Sequence, residues 1–274
     1  MVSATAVDGK GRPVRDLRPE EVQVLERGRP QKIVHFTHAR VTSARILLVI
    51  DASGSMEGNR KVANVRAAVD QILAMLDPED EVALAGFDHK YWGVVKFTRD
   101  REAIRTGLED LTPFGSTALH DALDHAAHDI ASHGEGRRAV IVVTDGIDTA
   151  SKTTPDEVIA RSQALDVPIY TLSIVSALDD PRAKSFLGHE NTSPATVGSS
   201  VLARYAAFSG GASFIVSDLE RLREAALQIV SEVKHQYRLG YDPPDGPPGF
   251  RSIEVRTKRK GVRVRARSGY LPPS

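Results

Sequence analysis

ARILLVIDASGSM, residues 44–56, holds the reading that decides the fold. Ile46 to Ile50 is an unbroken apolar run rich in β-branched side chains. A strand without alternation is one covered on both faces, as in a parallel sheet. The run stops at Asp51-Ala52-Ser53-Gly54-Ser55. In extended chain, residues two apart point to the same side, so Asp51, Ser53 and Ser55 present a carboxylate and two hydroxyls to a common point. Gly54 lets the backbone turn tightly between them. Hard oxygens without His or Cys suit a hard divalent cation, Mg²⁺ first, with Mn²⁺ or Ca²⁺ as alternatives.

Two further segments end near the same place. Ala139 to Thr144 is a second apolar strand, closed by Asp145-Gly146. Phe114-Gly115-Ser116-Thr117 is a loop running into a helix. In a parallel α/β sheet the loops after the strands gather at the carboxyl edge, where ligands bind. The combination of Asp51, Ser53, Ser55, Thr117 and Asp145 resembles the metal-ion-dependent adhesion site of a von Willebrand factor A domain, with all five positions filled. The resemblance implies that Ser53, Ser55 and Thr117 bind the metal directly. It implies that Asp51 and Asp145 act directly or through water, and that an open coordination position takes an acidic group from a partner. Gly54, Ser116, Asp121 and Gly146 are the expected supporting positions, Asp121 as an acid one turn on from Thr117.

Composition bounds the alternatives. The 274 residues suffice for one large domain, or a medium one with a small companion. Lys plus Arg and Asp plus Glu balance at 36 each, so no global field argues for nucleic acid or a membrane surface. The absence of cysteine excludes disulfides, thiol catalysis and Cys-based zinc sites. No signal peptide and no membrane-length apolar run are visible, and membrane insertion is not expected. The chain opens directly on a strand-like pattern, as expected if an export signal has been removed.

Residues 43–234 alternate strand and helix patterns, which predicts a doubly wound, mostly parallel six-stranded sheet. Val62, Val65, Val69, Ile72, Leu73 and Leu76 form one helical stripe. Tyr91 to Phe97 reads as an antiparallel edge strand, and Thr154-Pro155-Asp156-Glu157 as a capping box. On the helix from Thr117, His125 and His128 stand three apart, but no carboxylate or third His joins them in a zinc pattern. Ser176 to Gly198 is polar, aperiodic and long; as a loop leaving a strand's carboxyl end, it is expected on the metal face, setting partner specificity. A helix is expected over Ser199 to Phe208.

The flanks are β. Residues 1–40 alternate over Glu21 to Glu26 and Lys32 to Phe36, separated by the turn Arg27-Gly28-Arg29-Pro30. VDGKGRPV and EEVQVLERGRPQKI resemble the segment preceding the A domain in a bacterial group called VWFA-related, first noted in acidobacteria. Residues 235–274 carry a strand at Gln236 to Tyr241, a Pro/Gly-rich turn, and a hairpin of Arg251–Thr257 with Val262–Arg267 about Lys260-Gly261. Arg263, Arg265 and Arg267 share one side of the last strand and read as a solvated, aggregation-blocking face. No aromatics interleave with them, so nucleic-acid stacking is not expected. Neither flank is long enough to fold alone, so the two are expected to pair as a small β-sandwich-like module around the α/β domain.

Three functions compete. The first is a binding module gripping a partner's carboxylate through the metal, in an exported (secreted, periplasmic or cell-surface) bacterial protein, as the resemblance implies. The second is a Mg²⁺-dependent phosphotransfer or hydrolytic enzyme using Asp51; against it, Ser53 stands where an Asp-x-Asp motif needs its second acid, and no suitably placed lysine is evident. The third is a structural assembly protein with a stabilising metal. The first is the reading adopted, a non-enzyme whose oligomeric state the sequence leaves open.

Overall fold

The computed structural model describes residues 1–38, 43–134, 136–175, 194–247 and 249–272, with no side-chain detail at 59–60 and 194–199. The chain opens with β1 (Val2–Asp8), β2 (Val22–Glu26), β3 (Arg29–Gln31) and β4 (Ile33–Thr37). The α/β portion follows: β5 (Ala44–Asp51), α1 (Asn59–Ala74), β6 (Glu81–Phe87), β7 (Tyr91–Thr98), α2 (Arg101–Glu109), α3 (Leu119–Ser132), β8 (Arg137–Thr144), α4 (Pro155–Leu165), β9 (Ile169–Ile174), α5 (Pro194–Ser209), β10 (Ser213–Val216) and α6 (Leu219–Lys234). The tail forms β11 (Tyr237–Tyr241), β12 (Arg251–Thr257), β13 (Val262–Ala266) and β14 (Gly269–Tyr270).

The central sheet runs β10-β9-β8-β5-β6-β7. All neighbours are parallel except β7, which closes one edge antiparallel to β6, as its sequence predicts. Strand β5 has partners on both sides, Leu48 lying opposite Leu84 and Ile141. Its unbroken apolar run is explained by what each face meets. Ile46, Leu48 and Ile50 join Val65, Val69 and Ile72 of α1 and Leu222, Ile229 and Val233 of α6. Leu47 and Val49 join Leu119 and Leu123 of α3, Val158 of α4 and Leu202 and Tyr205 of α5. Alternate side chains thus feed two cores, and polar residues are tolerated on neither face.

The helix ends carry their own signals. Asp100 accepts Glu102 N at 2.9 Å and caps α2. Thr154 and Glu157 form the reciprocal box that opens α4. The α5 helix begins at Pro194, five residues before the expected Ser199, so part of the segment read as a loop is helical. The remainder, 176–193, lies outside the described residues, as does the specificity role expected of it.

The flanking strands make two further sheets, β13-β1-β11-β4 and β14-β12-β2-β3. Strand β1 is antiparallel to both β11 and β13, with Val2 opposite Leu239 and Ala6 opposite Val264. N- and C-terminal segments therefore share one ladder. Val2, Ala4 and Ala6 of one sheet and Val24, Ile253 and Val255 of the other meet in one buried cluster with Tyr237 and Leu239.

Two expectations for the tail are corrected. Strands β12 and β13 do not form a hairpin ladder; β12 pairs with β2 and β14, and β13 pairs with β1. The turn at Gly261 carries the chain from one sheet to the other. The arginine face of β13 is not solvated throughout: Arg265 pairs with Glu232 of α6, which is fully buried. Arg267 is 8% exposed, donates to Gln163 O at 2.5 Å and Met1 O at 2.7 Å, and lies beside Asp166. The Asp166 carboxylate also takes Ser3 N and Ser3 Oγ, at 3.0 and 2.8 Å. These charges are needed at the junction between the β strands and helices α4 and α6, where unpaired polar groups would be costly. Gly210, at φ +93°, lies where a Cβ would sit 2.8 Å from Ala266 C, and so lets the end of α5 approach β13.

Candidate metal centre

The carboxyl edge of the central sheet brings together the loops after β5 and β8 and the loop before α3. Asp51 ends β5 and is 3% exposed. Its Oδ1 accepts Ser53 N at 2.9 Å and its Oδ2 accepts the Thr144 hydroxyl at 2.5 Å. Thr144 is the last residue of β8; its register neighbour Val143 lies opposite Ile50, which sets Thr144 level with Asp51. Thr144 Oγ1 also accepts Gly146 N at 3.0 Å, so one buried hydroxyl orients the carboxylate and fixes the turn after it.

Ser53 is fully buried, Ser55 is exposed, and their hydroxyl oxygens are 3.1 Å apart, on one side as the spacing predicts. The loop before α3 is stitched to this one by two backbone hydrogen bonds, Gly54 N to Gly115 O at 2.9 Å and Phe114 N to Ala52 O at 2.8 Å. Gly115 adopts φ +77°, a left-handed conformation that favours glycine. At Gly54 a Cβ would lie 3.2 Å from Gly115 O, so the close approach of the two loops also favours glycine there. Thr117 is buried at the end of this loop. Its carbonyl accepts Thr149 N and Ala150 N at 2.8 and 3.0 Å, and its N–H donates to Thr149 Oγ1 at 2.9 Å. Ser116 and Phe114 are exposed, Phe114 at 76%.

Asp145 is 7% exposed. Its Oδ1 is buried with no hydrogen-bond partner, and its Oδ2 accepts from Lys61 Nζ at 3.0 Å. The same ammonium donates to Ser55 O at 2.7 Å. Lys61 is thus a lysine of the site that the sequence did not make evident, bonded to Asp145 and to the Ser55 carbonyl. Burial pushes the Asp51 carboxyl up to about 6; hydrogen bonds from Ser53 and Thr144 oppose the rise and the charge of Asp145 adds to it. Two buried carboxylates, one with an unpartnered oxygen, and the paired hydroxyls of Ser53 and Ser55 make a set whose chemistry a hard cation fits.

Asp121 does not aim at these groups. Its carboxylate accepts Lys152 N and Thr153 N at 3.1 and 2.8 Å and so anchors the loop into α4. The start of α3 is capped from outside: Asp148 Oδ1 accepts Leu119 N and Ser151 Oγ accepts His120 N, both at 2.9 Å. Among the described residues, no three or more His, Cys, Asp or Glu gather as a metal cluster. The site above has two carboxylates, its remaining donors being hydroxyls. On α3, His125 stacks on Tyr91, and His128 Nε2 lies 3.1 Å from Arg161.

Thr144 and Lys61 were missed in the sequence. The signal for Thr144 was its place beside Asp145 at the end of a parallel strand. Lys61 carried none, because its reach to Asp145 depends on how α1 leaves the loop.

The family model of the von Willebrand factor type A domain matches residues 46–147, the stretch that holds every residue of this site. A UPF0353 protein of Mycolicibacterium gilvum is 25% identical over 211 residues, covering 70% of this chain and 61% of the relative. The chain spans between about two-fifths and three-fifths of the length of the curated relatives it matches. Among solved structures, a von Willebrand factor type A protein from Catenulispora acidiphila superposes with TM-score 0.57 at 15% identity, over 98% of this chain and 62% of that one. Proximal thread matrix protein 1 from the mussel byssus, with a zinc-occupied MIDAS motif, gives TM-score 0.57 at 18% identity, over 75% of this chain and 49% of that one. The fold is of the von Willebrand factor A type.

Proposed function

We propose that this chain is a divalent-metal-dependent protein-binding module whose metal site grips an acidic group of a partner. The observation that carries the reading is the pair of buried carboxylates, Asp51 and Asp145, with Asp145 Oδ1 left without a hydrogen-bond partner and Asp145 Oδ2 joined through Lys61 Nζ to the exposed residue Ser55. Ser53, Ser55 and Thr117 would hold the ion directly, with Asp51 and Asp145 ligating directly or through water. Mg²⁺ is the first choice for an all-oxygen set, with Mn²⁺ and Ca²⁺ behind it. When bound, the ion supplies a positive charge that attracts a carboxylate, more strongly as an interface excludes water. Phe114, exposed on the adjoining loop, offers apolar contact beside that carboxylate.

The geometry weighs against Asp51 as a nucleophile. Both its oxygens already accept hydrogen bonds, and it is 3% exposed. A nucleophile must be open to attack a substrate, which burial to this degree opposes, whereas a small ion can be held by the lone pairs that these two bonds leave free.

The same proposal divides the chain into a β module from residues 1–40 and 235–274 and an A domain over 43–234. It places the protein outside the cytoplasm of a bacterium, on the resemblance of its N-terminal segment. Among the described residues, no helix is long and apolar enough to cross a membrane. The test is partner capture in Mg²⁺ and in EDTA, with the intact chain and with Asp145→Ala. Partners held in Mg²⁺, released by EDTA and absent from the variant support the reading. Asp51-dependent turnover of generic phosphoesters in Mg²⁺ overturns it.

A further inference from the structure

Lys61 is the third residue of α1, inside the helix's first turn. A cation is disfavoured there, because the unpaired N–H groups give that end a partial positive charge. Its ammonium nevertheless sits 3.0 Å from Asp145 Oδ2 and 2.7 Å from Ser55 O, with the side chain two-thirds covered. What holds it there is the site's own negative charge. Two carboxylates and one ammonium leave the loop cluster one charge short of neutral, and the ammonium lies on a proposed ligand.

The geometry points to Lys61 as a tethered counter-cation that competes with the divalent metal for Asp145. This rests on the metal-site reading above. Without metal, Lys61 neutralises Asp145 and ties it to the Ser55 loop, which keeps these two parts of the site assembled. When a dication enters, Lys61 must yield Asp145 or share it against charge repulsion. Either way it weakens metal affinity. A dication and an ammonium about 5 Å apart in a water-like medium repel enough to change affinity on the order of tenfold.

The test is calorimetric titration of the intact chain, K61M, K61Q and K61R with MgCl₂ and MnCl₂, together with thermal unfolding in EDTA. Methionine and glutamine, one atom shorter, keep most of the side chain's reach without its charge, and circular dichroism verifies that each variant is folded. K61M and K61Q are expected to bind metal about tenfold more tightly. They are expected to melt lower in EDTA, and to gain more from metal than the parent does. K61R, which keeps the charge, is expected to bind as the parent does. Unchanged or weaker binding in K61M and K61Q, with the parent binding normally, overturns the competitor role and leaves the metal site standing. No binding in the parent or any variant overturns both.

Discussion

Asp51→Asn, studied without metal, separates the cost of burying a charge from the value of its hydrogen bonds. Burial holds the Asp51 carboxyl at about 6 in the folded state, against 3.8 in an unfolded chain. The folded protein therefore binds the extra proton between those values. The stability that this group contributes is fully present below about 3.8 and is lost as pH rises through about 6. The shift is about two pH units, worth on the order of 3 kcal/mol. Asparagine cannot titrate, but it offers one acceptor oxygen where Asp51 uses two, for Ser53 N and the Thr144 hydroxyl. That mismatch costs about 1–2 kcal/mol at every pH. In EDTA, the variant is expected to be less stable than the parent near pH 4 and more stable by about 1–2 kcal/mol near pH 7. Urea unfolding of both proteins at pH 4, 5, 6 and 7 measures the difference directly, and subtraction removes most other titrating groups. A stability difference that stays constant across this range would refute the reasoning.

Three further outcomes follow from contacts on other elements. Thr144→Val removes the donor to Asp51 and the acceptor for Gly146 N, and is expected to cost about 2–3 kcal/mol by urea unfolding and to weaken metal binding. In the flanking sheets, Arg251 pairs with Glu26, a buried carboxylate that also accepts the Tyr241 hydroxyl. Arg251→Met leaves that charge without its cation and is expected to cost about 3 kcal/mol, part of which returns in the double variant with Glu26→Gln. A chain ending at Lys234 loses β11 and β13, the two neighbours of β1, and is expected to expose residues 1–37 to proteolysis while the strands and helices of the central sheet stay resistant. Protection of residues 1–37 in that fragment would contradict the shared module.

What the sequence made legible was the part governed by local pattern. The runs at Ile46–Ile50 and Ala139–Thr144 are strand signals because both their faces are covered, and they deliver Asp51 and Asp145 to one edge whatever else the chain does. Gly54 was legible as a tight turn, and Phe114 to Thr117 as a loop into a helix, for the same local reason. Non-local choices were not. Lys260-Gly261 carries a hairpin signal, yet β12 and β13 take β2 and β1 as partners, strands more than two hundred residues away. Alternation located Arg265 and Arg267 on one face of β13 but not what covers that face, which is Glu232 and Asp166. Lys61 was hidden by the same limit, since its partner Asp145 lies 84 residues further on.

The most direct test of the account is titration of the intact chain and Asp145→Ala with Mg²⁺ and Mn²⁺, by calorimetry and by thermal shift. The account predicts saturable binding and a raised melting temperature in the parent, both lost in the variant. Absence of binding in the parent, or equal binding in the variant, would contradict it.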